Sequence, residues 1–258
     1  MARDFRELLK KDYVILDGAM GTMLQQKGME LGTVPETLNI TKPDWIIDIH
    51  KQYIDAGSDV VYANTFGANR YKMANTGYSV DELIGAAINN AKEAAKGTET
   101  LVALDMGPIG QLLEPTGSLS FEEAYDIFKE EVIAGRNAGA DIIVIETMTD
   151  LMETKAAILA AKENSDLQVM CTMTFEDNKR TFTGCSVSAM CLTVQGLGVD
   201  ALGVNCSLGP KELIPIVEEI SKWTTVPIVV KANAGLPDPV TNTYNVLPVS
   251  YTHLTLPT

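Results

Sequence analysis

The sequence is poor in the residues that build metal clusters and disulfide frameworks. Its 258 residues include two histidines and four cysteines, which are Cys171, Cys185, Cys191 and Cys206. No two cysteines are adjacent, and none are spaced as the CxxC pairs of a zinc ribbon require. They are also too few and too irregularly spaced for a secreted disulfide framework in a chain this long. These absences argue against a zinc-ribbon protein and against a secreted disulfide-rich protein.

Positive charge is scarce as well. The chain has 20 Lys and Arg against 34 Asp and Glu, a formal net charge of -14. An acidic surface is repelled by nucleic acid and by anionic membranes. The first residues, MARDFRELLKKDY, are charged, and no apolar run approaches the roughly 18 residues that cross a bilayer. We therefore expect a cytoplasmic protein that binds small molecules or proteins and neither nucleic acid nor membranes.

Short apolar runs alternate with amphipathic helical patterns along the chain. Runs that are apolar on nearly every residue are typical of parallel strands covered by helices. Seven strands are predicted, at 13–17, 59–66, 101–108, 141–147, 167–175, 200–206 and 226–233. Seven is one fewer than a (β/α)8 barrel needs, whereas a doubly wound sheet usually has a Gly-rich phosphate turn after its first strand. The turn here, DGAMGT at 17–22, lacks the GxGxxG spacing.

Polar residues cluster where the predicted strands end. They are Asp17, Asn64, Thr65, Asp105, Glu146, Thr147, Asn205, Cys206 and Asn233. In a parallel barrel the carboxyl ends of all strands meet on one face, which is the usual place for an active site. The pattern therefore predicts a polar site at this face.

Two of these acids, Asp17 and Glu146, allow two interpretations. Each can cap the following helix or pair with a neighbouring loop, or the two together can clamp a substrate ammonium between fixed carboxylates. Backbone N–H groups at Gly18 and Gly21 can donate to a carboxylate, so the site suits an amino acid.

The other candidates also have structural alternatives. Asn64, Thr65 and Asn205 offer neutral hydrogen-bonding groups, although a strand-end Asn often only closes a turn. Lys231 lies at a strand end, where a barrel lyase or aldolase would have its Schiff-base lysine. Spacing alone does not exclude such an enzyme. His50 falls within a helical pattern, where a lone histidine is more often a surface or packed residue than a ligand.

A series of motifs resembles the homocysteine S-methyltransferase family. The motifs are DGAMGTMLQ (17–25), ETLNITKPD (36–44), DVVYANTFGANR (59–70), DMGPIGQLLEPTGSLSFEEAY (105–125), IETMTDLMETKAAILAAKE (145–163), DALGVNCSLGP (200–210) and KANAGLP (231–237). Their order and spacing are most similar to the N-terminal homocysteine-binding module of cobalamin-dependent methionine synthases. The resemblance covers about residues 10–247.

The resemblance implies a (β/α)8 barrel in which three cysteine thiolates bind zinc and the homocysteine sulfur is the fourth ligand. Zinc removes the proton from a bound thiol and fixes its position, and anionic sulfur ligands keep that sulfur nucleophilic. Position by position, Cys206 matches a zinc cysteine and is the candidate catalytic residue. Asp17 and Glu146 match the acids that hold the homocysteine amino group, and Gly18 matches the carboxylate-binding turn. Asn64, Thr65 and Asn205 match polar residues of the same mouth.

The sequence departs from this family near its end. The other two zinc cysteines belong to a Gly-Gly-Cys-Cys motif after the eighth strand, and this chain has no such pair. We expect an incomplete barrel over residues 1–247 that lacks the eighth βα unit, followed by a non-native tail at 248–258. We expect such a chain to be inactive alone.

The resemblance also implies the methyl donor and the partners. They are methylcobalamin and the folate-binding and cobalamin-binding domains of a longer enzyme, all outside this chain. Two alternatives remain open. One is an amino-acid-binding barrel without metal, and the other is a homocysteine methyltransferase that uses betaine or S-methylmethionine.

Overall fold

The structure, a computed structural model, describes residues 4–235 and 246–247. Its strands are β1 (Val60–Tyr62), β2 (Leu101–Met106), β3 (Ile142–Met148), β4 (Gln168–Met173), β5 (Ala201–Asn205) and β6 (Ile228–Lys231). The helices are α1 (Phe5–Leu8), α2 (Met20–Gln26), α3 (Leu38–Thr41), α4 (Pro43–Asp55), α5 (Arg70–Met73), α6 (Val80–Ala94), α7 (Phe121–Ala138), α8 (Leu151–Asn164), α9 (Val187–Gly196) and α10 (Pro210–Trp223), with a short 3-10 helix at Pro35–Thr37.

Local sequence signals account for the helix boundaries. Ser120 and Glu123 form a capping box at the start of α7, since each side chain accepts a hydrogen bond from the backbone of the other residue. The same arrangement of Ser79 and Glu82 starts α6. The chain leaves α7 through Gly139, whose φ of 88° is readily adopted only by glycine.

The six strands form one parallel sheet in the order β1-β2-β3-β4-β5-β6. Successive side chains of a strand point to opposite faces, and the buried residues separate accordingly into two clusters. Val61, Val102 and Ile143 belong to the layer between the sheet and the helices. Their neighbours Val60, Leu101 and Ile142 belong to a second cluster inside the curled sheet, together with Phe5 of α1.

The first predicted strand is the one that the structure does not form in full. Within 13–17 only Leu16 makes an isolated parallel bridge, to Val60. Asp17 N–H donates to the carbonyl of Val60 at 3.0 Å, so the segment lies beside β1. Tyr13 is 74% exposed and Ile15 44%, and no described strand pairs with the other side of the segment. A strand needs this repeated pairing, and the prediction of seven strands therefore becomes six strands and a bridge.

The architecture is an incomplete (β/α)8 barrel, as the sequence predicts. The other six predicted strands are confirmed. β3 is shifted by one residue from its predicted bounds, and the other five are shorter than predicted. The domain limits of 1–247 stay a prediction, and the tail at 248–258 lies outside the described residues. In the described part of the chain, none of the helices has both the length and the apolar character needed to cross a membrane.

Candidate active site

A cavity of about 1290 Å³ opens where the strands end. Its polar wall consists of side chains from the ends of five strands and from the turn after residue 16: Asp17, Asn64, Asp105, Glu146, Thr147, Asn205, Cys206 and Lys231. The cavity also runs along the gap between residues 11–16 and 227–230, the two edges of the curled sheet. The predicted convergence of strand-end polar groups is thus present in the structure.

Lys231 lies at the centre of the acidic part of the cavity. Its Nζ is 3.6 Å from Oδ1 of Asp17 and 3.7 Å from Oε2 of Glu146. The same Nζ lies 3.7 Å from the centre of the Tyr62 ring, close enough for a cation–π interaction. One ammonium group is therefore held between two carboxylates and an aromatic face.

Burial governs the protonation of this cluster. It raises the pKa of Asp17 from 3.8 to about 7, although Lys231 acts in the opposite direction. Burial also raises the pKa of Asp105 well above its usual value, and the neighbouring Glu146 adds to this effect. For Lys231, burial lowers the pKa, but the surrounding acids outweigh burial and the net pKa is raised. The lysine is therefore a stable cation.

Two carboxylate oxygens in the cavity have unused hydrogen-bonding capacity. Oδ2 of Asp17 accepts the N–H of Tyr62 at 2.8 Å. Its Oδ1, and Oδ1 of Asp105, are buried without a hydrogen-bond partner among the described residues. Buried polar atoms without a partner are costly, so both oxygens favour a ligand that brings polar groups.

Cys206 is held by hydrogen bonds from the ends of β3 and β5. The Asn205 amide donates to Thr147 Oγ1 at 2.7 Å and to Cys206 Sγ at 3.3 Å. The side-chain oxygen Oδ1 of Asn205 accepts from Thr147 N–H and from Thr172 Oγ1, both at 2.9 Å. Asn205 therefore uses its whole amide to fix the position of the thiol.

The backbone at this point is strained. Thr147, Cys206 and Ser207 have φ values of 62°, 58° and 52°. This left-handed region is unusual for residues other than glycine, above all for a β-branched threonine. Such strain persists only where neighbouring contacts enforce it, and here it turns the Cys206 side chain into the cavity.

The remaining predicted residues differ in their relation to the cavity. Gly18 lines it, and a Cβ at this position would lie 2.7 Å from the Tyr53 hydroxyl, so a larger residue would require Tyr53 to move. Asn64 also lines it, but its amide donates to the Pro35 carbonyl at 2.8 Å and holds that loop. Thr65 lies behind the wall, where its Oγ1 bonds to the backbone of Asp105. Thr65 thus supports Asp105 rather than facing a ligand.

The other cysteines do not join Cys206. Cys171 and Cys191 are buried in the layer between sheet and helices. Cys185 lies in a loop and bonds to the Ser186 carbonyl. In the described ranges, 4–235 and 246–247, no group of three or more His, Cys, Asp or Glu is placed to hold a metal ion. The described residues alone therefore do not fit a zinc ion.

Sequence reasoning assigned no part in the expected ammonium site to Lys231, Asp105 or Tyr62. Asp105 and Lys231 were recognisable as polar strand ends, and Tyr62 is two residues from Val60, on the same face of β1. Residues two apart in a strand share a face, and this alternation was the signal that could have assigned all three residues to the cavity.

The fold and cavity define a (β/α)8-type barrel protein with its polar site at the carboxyl ends of the strands, where barrel enzymes carry their active sites. The chain belongs to the homocysteine S-methyltransferase family, whose family model matches residues 14–255.

Two curated proteins are similar to this chain in sequence. The methionine synthases of Mycobacterium leprae and Mycobacterium tuberculosis are each 32% identical to this chain over 255 residues. Each alignment covers 91% of this chain and 21% of the relative, so the chain spans about a fifth of their length.

Solved structures agree with the family. The metallated form of the homocysteine methyltransferase MmuM from Escherichia coli is similar to this chain with a TM-score of 0.81 and 25% identity. The match covers 90% of this chain and 87% of MmuM. The apo form of the same protein gives a TM-score of 0.73.

Proposed function

We propose that this chain is the homocysteine-binding module of a methionine synthase, which presents the homocysteine thiol for methylation to methionine. The observation that carries the proposal is the ammonium group held between Asp17 and Glu146 in the cavity that also contains the Cys206 thiol. The same cavity thus offers a position for the amino group and a sulfur ligand beside it. The family membership and the similarity to methionine synthases support this assignment.

The roles of the residues follow from their positions. Asp17 and Glu146 would bind the substrate ammonium, and the unused Oδ1 of Asp17 would accept one of its N–H groups. No acceptor among the described residues takes the N–H of Gly18, which is therefore available for the substrate carboxylate. Thr147 follows Glu146 in β3, and its Oγ1 is 3.8 Å from Cys206 Sγ. The substrate's amino group and its thiol would consequently lie at neighbouring positions of the cavity.

We also propose that the complete enzyme supplies what this chain lacks. Zinc bound at Cys206 would require two further thiolates, and each of the chain's other three cysteines lies elsewhere. Methylcobalamin as methyl donor, and the folate-binding and cobalamin-binding domains, would belong to other parts of a longer cytoplasmic protein. The present residues would bind and orient homocysteine.

The test is calorimetric titration of the 258-residue chain with L-homocysteine under reducing conditions. Asp17→Asn and Glu146→Gln should each weaken binding by about 10- to 100-fold, because each removes one charged acceptor of the ammonium. Asp141→Asn is the matched control, since Asp141 directly precedes β3, at the end away from Glu146, and pairs with Lys92. No binding by the unchanged protein, or equal losses in all three variants, contradicts the proposal.

An amino-acid-binding module without metal is the second candidate, and the presence of a single cysteine in the cavity favours it. Zinc stoichiometry separates the two ideas. We expect the chain to bind zinc weakly, because Cys206 alone leaves most coordination positions open. One tightly bound zinc per chain, lost in Cys206→Ser, would show that the described ligand set is not the whole site.

A further inference from the structure

Lys231 occupies the position that the proposed substrate ammonium needs. Its Nζ lies between Asp17 and Glu146 and against the Tyr62 ring. Two ammonium groups in this space would repel each other strongly. The site is largely shielded from solvent, so water screens their repulsion only weakly. A substrate amino group can therefore enter only if Lys231 moves.

The contacts of Lys231 are suited to such a movement. Charge-assisted N–H···O bonds are usually about 2.7–2.9 Å long, whereas its distances to the two acids are 3.6 Å and 3.7 Å. The lysine is thus attracted to both carboxylates without a close bond to either. Its backbone is fixed in β6, and its carbonyl accepts the N–H of Cys206 at 3.0 Å. Only the flexible four-carbon stem needs to turn.

A displaced lysine needs a new anionic partner, and an amino acid brings one. When the substrate ammonium takes the place between Asp17 and Glu146, its own α-carboxylate lies a single carbon away. Gly18, whose N–H is available for this carboxylate, directly follows Asp17 in the chain. The carboxylate therefore lies within reach of the Lys231 side chain.

We propose that Lys231 is a specificity-determining residue that leaves the Asp17–Glu146 position when substrate binds and pairs with the substrate α-carboxylate. This inference rests on the proposed function. A thiol amine without a carboxylate would have to displace the lysine without offering it a partner, so it binds poorly. The lysine thereby selects an amino acid over a simple amine.

The experiment compares two ligands in matched variants. L-Homocysteine and 3-aminopropanethiol share the thiol and the ammonium, and only the first has the carboxylate. Lys231→Met should weaken homocysteine binding by about 10- to 100-fold. The same variant should bind 3-aminopropanethiol at least as tightly as the unchanged chain, because the tethered competitor is gone. Lys231→Arg, which keeps a cation, should retain part of the homocysteine affinity.

The control is Lys92→Met, which removes a lysine paired with Asp141 at 2.6 Å outside the cavity and should leave both affinities unchanged. Thermal melting of each variant reports folding, and Lys231→Gln provides a second neutral side chain if Lys231→Met fails to fold. Equal losses for both ligands in the neutral variants overturn the inference and leave the proposed function standing. Absence of homocysteine binding by the unchanged chain overturns the proposed function and this inference with it.

Discussion

His50 lies in α4 with its side chain fully buried. Neither imidazole nitrogen has a hydrogen-bond partner among the described residues. The same helix contributes Ile46 and Ile49 to an apolar cluster with Leu24 and Leu38. A charged imidazole would be costly in such surroundings, so the folded protein holds His50 in its neutral form.

This burial makes the stability of the fold depend on pH. Burial lowers the pKa of His50 from 6.5 to about 4. Between these values the unfolded chain binds more protons than the folded one, so the free energy of unfolding falls as the pH falls. Linkage gives a loss of about 2 kcal/mol from pH 7 to pH 5 that is due to this residue alone.

His50→Leu should abolish that contribution, since leucine is apolar and of similar size. At pH 7 the variant should be as stable as the unchanged chain or more stable, because two unpaired buried nitrogens are removed. At pH 5 the difference in free energy of unfolding between the variant and the unchanged chain should be about 2 kcal/mol larger than at pH 7, in favour of the variant.

Urea denaturation at pH 7, 6 and 5 measures the difference, with fluorescence of Trp45 in α4 and far-ultraviolet circular dichroism as probes. Acidic residues with raised pKa values, such as Asp17 and Glu153, also make the free energy of unfolding depend on pH. Their contribution is the same in both proteins and cancels in the comparison. A constant difference between the two proteins across this pH range would refute the reasoning. It would mean that His50 is protonated in the folded state or reaches solvent.

Two further predictions concern packing and capping, and urea denaturation checks both. Gly203→Ala should cost about 3 kcal/mol or more, because its Cβ would lie 1.8 Å from the Val229 carbonyl oxygen. At Gly196 nothing lies within 4 Å of an added Cβ, so Gly196→Ala should be neutral or stabilising by up to about 1 kcal/mol. Equal effects of the two substitutions would contradict the close approach of β5 and β6. Ser120→Ala should cost about 1 kcal/mol, since it removes the side-chain acceptor of Glu123 N–H. No loss would mean that water replaces this cap.

The sequence determined the elements and their buried faces. Apolar runs are local signals, and they located six of the seven predicted strands. The same signals indicated that polar residues such as Asp17 and Glu146 follow strands, and a parallel sheet brings strand ends together. The motif series identified the family, and the position of Cys206 in it pointed to thiol chemistry.

Only the tertiary structure decided which of these groups meet. It places Lys231 between Asp17 and Glu146, turns Thr65 away from the cavity, and leaves residues 13–17 with one bridge in place of a strand. These outcomes depend on the curvature of the sheet and on distances across it. The residues concerned are far apart in the chain, so no local pattern of residue types encodes their separation in space.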